Sequence, residues 1–273
     1  MSSSQGTIAS FIKDAPPGEL SNVVTDIKAL IGDQSDTTQT LDPACQQYNE
    51  EQLAAVKLPG SSQDVIISPY NSLGNGRYFD VESQTSFLVD HSTKKSSAVE
   101  SYVLESQHAD LVKSTLKALA AHAQEHYPSS SYGAYPTNSD SAIAVVLVAN
   151  KYSPNNFWNG RWRSIYTFTP GSGELEGNIK VDVHYYEDGN VRLLTDRPIT
   201  SSISSSATGP EVIRQIASLE KKYQEELNRA FSNLSEGAFK SLRRQLPITR
   251  QKIEWEKISG YRLGQDIGGG RPR

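Results

Sequence analysis

Five histidines and one cysteine leave few places where this chain could do metal or nucleophile chemistry. His122-Ala-Gln-Glu125-His126 has the H-x-x-E-H spacing of one zinc-peptidase class, in which two imidazoles four residues apart on a helix face hold one metal. The run closes a polar helix at Tyr127-Pro128, where histidines occur without any chemical role, and it is read as no metal site. Cys45 is the single cysteine, so neither an internal disulfide nor a multi-cysteine zinc site is available. There is no G-x-S-x-G elbow. Gly74-Asn-Gly76 lacks the third glycine of a dinucleotide loop and the Lys-Ser/Thr of a phosphate loop. Glu187-Asp188-Gly189-Asn190 is a turn without the further ligands of a calcium loop. Gly268-Gly269-Gly270 reads as tail, and His184 as a packed or surface residue on a strand. The expectation is therefore no catalytic residue, no metal, no cofactor and no enzyme.

The chemistry that does stand out is electrostatic. Residues 240–273 carry nine Lys/Arg against three acids, a net of +6, and the preceding 239 residues carry 18 basic and 28 acidic groups, a net of −10. A basic arm on an acidic body points to an anionic surface as the arm's target. Phe239, Leu242 and Leu246 follow helical spacing, with Lys240, Arg243 and Arg244 on another face. Pro247 ends that turn. A second segment, with Thr249 as N-cap, places Trp255, Ile258 and Tyr261 at three-residue steps and carries Arg250, Lys252 and Lys257. The plain alternative is a terminal helix docked on its own core with its charges solvated.

The elements that must carry this arm can be read in order. Residues 1–60 are expected to be an N-terminal antiparallel helix bundle. Ile8, Phe11 and Ile12 share one face, and a breaker follows at Asp14–Gly18. Leu20, Val23, Val24, Ile27, Leu30 and Ile31 form a 3.6-residue stripe closed by Gly32. A third helix is expected to start at Asp42-Pro43 and to run towards Lys57. Residues 61–106 form a β-rich connector, with short strands at 65–68, 77–83 and 86–91.

Residues 107–200 hold a helix over 107–127 and then about five antiparallel strands in a meander, at 132–135, 141–150, 161–169, 178–187 and 190–195. Asp188-Gly189 is hairpin-turn chemistry. A serine-rich linker at 198–209 precedes a long helix, the two together making a segment 201–238. Its seam runs Val212, Ile216, Leu219, Tyr223, Leu227, Ala230, Leu234. Those ~24 residues span about 36 Å. Five strands span only about 20 Å. The mismatch points to a second subunit that extends the sheet. The class is α+β, closed by a C-terminal amphipathic arm at 239–273. Modest hydrophobic content (36%) fits either an elongated shape or a core completed in part by a partner. No apolar run reaches the ~20 residues of a transmembrane segment. The N-terminus lacks a signal-peptide pattern, so a reducing cytoplasmic location is expected.

Three blocks then resemble one family. NNFWNGRWRSIYTF (155–168), VDVHYYEDGNVRLL (181–194) and FKSLRRQLPITRQKIEWEKI (239–258) resemble the alpha subunit of F-actin capping protein, and IASFIKDAPPGEL (8–20) is similar to that family's opening. The blocks lie in family order along nearly the whole chain. Residues 60–140 are less similar, and the serine-rich 201–208 and the Gly-Gly-Gly-Arg-Pro-Arg end depart from the family pattern, as in a divergent, fungal member.

The resemblance implies an obligate heterodimer with a beta subunit whose sheet joins this one into ten strands, and capping of the actin filament barbed end without calcium or hydrolysis. It implies actin contacts by Lys240, Arg244 and Arg250, with Arg243 and Lys252 beside them and Leu242, Leu246, Trp255 and Ile258 as apolar arm contacts. Trp158, Trp162, Tyr185 and Tyr223 are expected at the heterodimer interface. Acidic phosphoinositides and capping-protein regulators are further expected partners, and the actin cytoskeleton, including cortical actin patches, the expected location. Readings of other classes are an anionic-phospholipid or nucleic-acid binder acting through the arm alone, which the acidic body disfavours for nucleic acid, and a zinc hydrolase, which elemental analysis would reveal.

Overall fold

A computed structural model describes residues 3–31, 36–61, 64–127, 129–186 and 191–233. The chain divides into two units, Met1–Lys221 and Lys222–Arg273. The arm residues Lys240, Leu242, Arg243, Arg244, Leu246, Arg250, Lys252, Trp255 and Ile258 lie outside the described residues, as do Gly32, the Asp188-Gly189 turn and Leu234.

Three helices open the first unit: α1 (Ser3–Lys13), α2 (Leu20–Ile31) and α3 (Asp36–Glu51). Their shared core is Ile12, Ala15, Leu20, Val24, Ile27, Leu41, Ala44, Cys45 and Tyr48. Phe11 and Leu30, expected on the apolar faces, are instead mostly exposed. The third helix starts six residues earlier than its proline suggested, with Pro43 inside it. A mid-helix proline loses one backbone bond. Leu41, Cys45 and Tyr48, buried on either side of it at four- and three-residue steps, hold the helix through the gap.

The same helix stops at Glu51 rather than continuing to Lys57. Leu53 takes a left-handed conformation (φ 52°). Ala54 N–H reaches Asn49 O and Leu53 N–H reaches Glu50 O, at 2.8 and 3.3 Å, the bonding pattern of a Schellman cap. A leucine there costs roughly 1–2 kcal/mol. Complete burial of its side chain returns about 1.5–3 kcal/mol.

The connector is built from β1 (Ala55–Lys57) paired with β2 (Asp64–Ile66), and a four-stranded antiparallel sheet of β3 (Ser72–Gly74), β4 (Arg77–Asp80), β5 (Thr85–Asp90) and β6 (Lys95–Ser101). Val56, Leu58, Val65, Ile67, Tyr78, Phe87 and Val89 make its core. Helix α4 (Ala109–His126) follows and buries Val112, Thr115, Leu116, Leu119, His122 and Ala123.

The main sheet is a five-stranded antiparallel meander of β7 (Ser130–Thr137), β8 (Ala142–Ser153), β9 (Trp158–Thr169), β10 (Glu174–Tyr185) and β11 (Val191–Ser202). Its ladders run without a register shift. The last strand continues to Ser202, so residues 198–202, expected in the linker, are strand. Pro198 permits this because β11 is an outer strand, as is β7, which holds Pro136. Ile203 N–H bonds Gly173 O across the ladder. Counting back in steps of two, residue 198 turns its missing N–H to the open side, where no ladder bond is lost.

Helix α5 (Gly209–Asn233) follows a six-residue turn region. Thr208 N–H and Oγ1–H both donate to Glu211 Oε2, at 2.8 and 2.9 Å, fastening its first turn. A Cβ on Gly209 would lie 2.4 Å from Thr115 N, so this helix begins backbone against backbone on α4.

Candidate functional site

The unbroken register sorts the sheet's side chains onto two unlike faces. One face presents Asn150, Arg161, Arg163, Asp182, His184 and Arg192, and the N-terminal helices meet it through polar contacts. Arg161 donates to Asn150 Oδ1 and Gln52 Oε1, each at 2.8 Å, and its guanidinium lies 5.9 Å from the centre of the Tyr48 ring. Arg163 donates to Glu51 O. Burial and the neighbouring Arg161 charge pull Arg163 down to about 10. Arg192 forks onto Asp182 at 2.9 and 2.7 Å and also donates to Asp14 O at 2.6 Å. His184 Nδ1 sits 2.7 Å from Glu19 Oε1. His184 is thus a joint between bundle and sheet, in keeping with its reading as a packed residue.

The opposite face is apolar. Val145, Leu147, Tyr166, Phe168, Leu175 and Ile179 share it and are buried with one exception of type, the aromatic hydroxyl of Tyr166. That hydroxyl donates to Glu220 Oε1 at 3.3 Å. Tyr127 Oη donates to Glu220 Oε2 at 2.9 Å, and His122 Nε2 lies 3.1 Å from the same oxygen. The His122 of the zinc-like spacing is therefore committed to a carboxylate on the long helix. Among the described residues no group of three or more His, Cys, Asp or Glu could hold a metal ion. Sequence reasoning missed Glu220 because it ran the helix seam through Leu219 and Tyr223, and a lone glutamate beside that seam looks like an ordinary solvated charge.

Of the residues expected at a subunit interface, Trp158, Trp162 and Tyr185 fall on this apolar face. Trp158 stands directly opposite Tyr185 across the β9–β10 ladder, and Trp162 opposite Val181. Tyr185 is exposed, and Val191, opposite it on the outer strand, is 62% exposed. Leu194, on the other face of that strand, is 64% exposed. Tyr223 lies in the second unit, half-buried on α5. Among the described residues no strand pairs with the outer side of β11, and apolar side chains stand beside it, an arrangement that proteins ordinarily cover. The other outer strand, β7, contacts β2 and the Pro69–Asn71 turn.

Residues 8–266 match the family model described as F-actin capping protein alpha subunit. The chain belongs to the F-actin capping protein alpha subunit family. It is 63% identical over 273 residues to the F-actin-capping protein subunit alpha of Chaetomium thermophilum, covering 100% of this chain and 99% of the relative. Identity to the subunit alpha of Emericella nidulans is 64% over 274 residues, with full coverage of both chains. To that of Caenorhabditis elegans it is 36% over 267 residues, covering 94% of each. Among solved structures, the homodimeric actin capping protein alpha subunit from Plasmodium berghei superposes with a TM-score of 0.72 at 18% identity, covering 91% of this chain and 98% of that one, a likeness of fold. The high identity to fungal relatives agrees with the fungal character read from the sequence. The family is one of actin-capping proteins and not an enzyme family. No helix among the described residues is long and apolar enough to cross a membrane.

Proposed function

We propose that this chain is the alpha half of a heterodimer that binds the barbed ends of actin filaments and blocks subunit addition and loss, without calcium. Family membership over residues 8–266 carries the reading. The beta subunit is proposed to continue the sheet at the β11 edge, covering Val191 and Leu194 and the apolar face around Trp158, Trp162 and Tyr185; Tyr223 of the second unit is proposed separately as a contact of that subunit. This would cover an edge that no strand among the described residues pairs with.

The arm is proposed to be the actin-binding element. Lys240, Arg243, Arg244, Arg250 and Lys252 would steer the dimer to acidic actin surface. Leu242, Leu246, Trp255 and Ile258 would then bury against it. An exposed ion pair is worth only ~0.2–1 kcal/mol. Tight capping therefore requires several pairs together with apolar burial. The bound dimer acts by occupying the filament end, not by chemistry. Acidic phosphoinositides would compete for the same cations, capping-protein regulators would act on the dimer, and the complex would reside in the cytoplasm on the actin cytoskeleton, in cortical patches among other places.

The test is co-expression with a candidate beta subunit. The reading expects a one-to-one complex that stops seeded filament growth. A chain that stays monomeric beside the beta subunit, or a complex that leaves growth unchanged, would refute it.

A further inference from the structure

None of the twelve residues of β11 is buried. Side-chain burial does not hold this strand, so its ladder to β10 and a few polar ties must. In that ladder the odd-numbered residues bond β10, in step with the Ile203–Gly173 bond. Arg192, Leu194 and Asp196 therefore turn their backbone N–H and C=O groups to the outer side. Among the described residues no strand pairs there.

The side chains of these three residues share the polar face, opposite His184, Asp182 and Lys180 in turn. The outer two are tied down. Arg192 forks onto both oxygens of Asp182, whose side chain is 5% exposed, and also donates to Asp14 O in the turn between α1 and α2. Asp196 accepts from Asn178 Nδ2 at 2.7 Å and pairs with Lys180 at 3.2 Å. Each end charge of the strip thus has its partner on β10. What faces outward is backbone, with the exposed Leu194 at the centre. An uncharged extended strand laid there gains ladder bonds and covers the leucine.

The two ties are unequal. Lys180 and Asp196 are each about half exposed, and a pair of that kind adds little. Arg192 instead joins a buried carboxylate, the outer strand and a turn of the helical bundle. A bidentate arginine–carboxylate pair fixes angle as well as distance. Losing it would leave a buried charge without its fork and the start of β11 without its anchor.

We propose that Arg192 is a positioning residue for assembly: it holds the 192–196 edge in place with its own charge neutralised, so that this strip accepts an uncharged extended strand of the beta subunit. The proposal rests on the placement of that subunit at the β11 edge proposed above.

The experiment compares heterodimers carrying Arg192→Gln, Arg192→Lys or Leu194→Asp, with Val65→Ala in the connector core as a control for general destabilisation. Each is measured for melting temperature, for the rate at which labelled beta subunit exchanges out, and for hydrogen exchange at the amides of residues 192, 194 and 196. Those amides face away from β10, so slow exchange there reports a strand supplied by the partner. The expected result is slow exchange in the parent dimer. Arg192→Gln should release the beta subunit about ten-fold faster, as loss of hydrogen bonds to a charged group does, and should speed exchange at the three amides. Arg192→Lys keeps the charge but loses the fork, and should fall between. Leu194→Asp, which places a charge at the centre of the strip, should also release faster. Val65→Ala should lower the melting temperature and release at the parent rate. Parent-like release and protection in Arg192→Gln would overturn the proposal. Should that variant fail to assemble, parent-like release from Arg192→Lys would overturn it and faster release would support it. Fast exchange at the three amides in a parent dimer that assembles and caps would instead strike the placement of the beta subunit at this edge.

Discussion

The ring of Tyr166 lies across Gly177, its directly opposed neighbour on β10. A Cβ at 177 would come within 2.3 Å of Tyr166 Cδ1, so only glycine leaves the ring room to lie flat and aim its hydroxyl at Glu220. The bare strand position and the buried carboxylate are two ends of one arrangement. Gly177→Ala is expected to displace the ring, break that hydrogen bond and destabilise by roughly 1–3 kcal/mol, as overpacked cores do. Gly6→Ala, in α1 with nothing within 4 Å of the new methyl group, should stabilise by about 0.5–1 kcal/mol. Thermal melting of the two variants in the dimer checks both signs.

Combining Lys240→Ala, Arg244→Ala and Arg250→Ala should weaken capping by between a few-fold and about a hundred-fold. That range follows if each exposed pair contributes ~0.2–1 kcal/mol. Each single change should cost far less, and the dimer should stay intact in every case. Added salt should shrink the difference between parent and triple variant, because exposed charges are screened over roughly 10 Å at 0.1 M. Seeded elongation across a salt series reads both effects. A triple variant that caps like the parent would remove these cations from the actin contact.

His91 joins the connector to α3 in its neutral form. Tyr78 Oη donates to Glu50 Oε1 at 2.5 Å, so His91 Nε2–H is the donor to Tyr78 at 3.2 Å and Nδ1 accepts from Asn49 Nδ2 at 3.4 Å. Burial holds His91 below its ordinary value of 6.5, against the opposing pull of the Glu50, Asp90 and Asp42 charges. The unfolded chain therefore binds a proton that the folded one refuses. The stability this adds is complete above pH 6.5 and is lost as pH falls below it. Melting temperature should drop more steeply below that pH in the parent than in His91→Gln. Parallel slopes would contradict this account of the network.

Cys45 is fully buried between the helices, and burial together with the Asp42 charge pushes its thiol up to about 11. A thiol in that state reacts poorly, since the thiolate is the nucleophile. A disulfide reagent should label the native dimer very slowly and label one thiol per alpha chain in strong denaturant. Rapid labelling of the native protein would show that α3 opens readily from its neighbours.

Much of this fold could be read from periodicity. The alternation of Ile179, Val181 and Val183 with Lys180, Asp182 and His184 marks β10 and its two unlike faces, and the apolar run at 141–150 marks β8. Pro43 misled because a proline after an aspartate is ordinary start chemistry. What carries the helix across it is tertiary burial of Leu41, Cys45 and Tyr48, which no local signal encodes. The end at Glu51 was hidden for a similar reason, since a leucine in a left-handed cap has no compositional mark. Polar β6 follows its neighbour through backbone pairing, so its own side chains say little. The partnership of Glu220 with Tyr127 and Tyr166 spans 93 and 54 residues and appears only once the sheet and helices are assembled.

The most direct test of the central claim is growth of single actin filaments from fixed seeds, watched at the barbed end as purified alpha–beta dimer is added. The account predicts that growth at that end stops within each capping event while the opposite end is unaffected. Barbed ends that lengthen at the dimer-free rate at dimer concentrations well above nanomolar would contradict it.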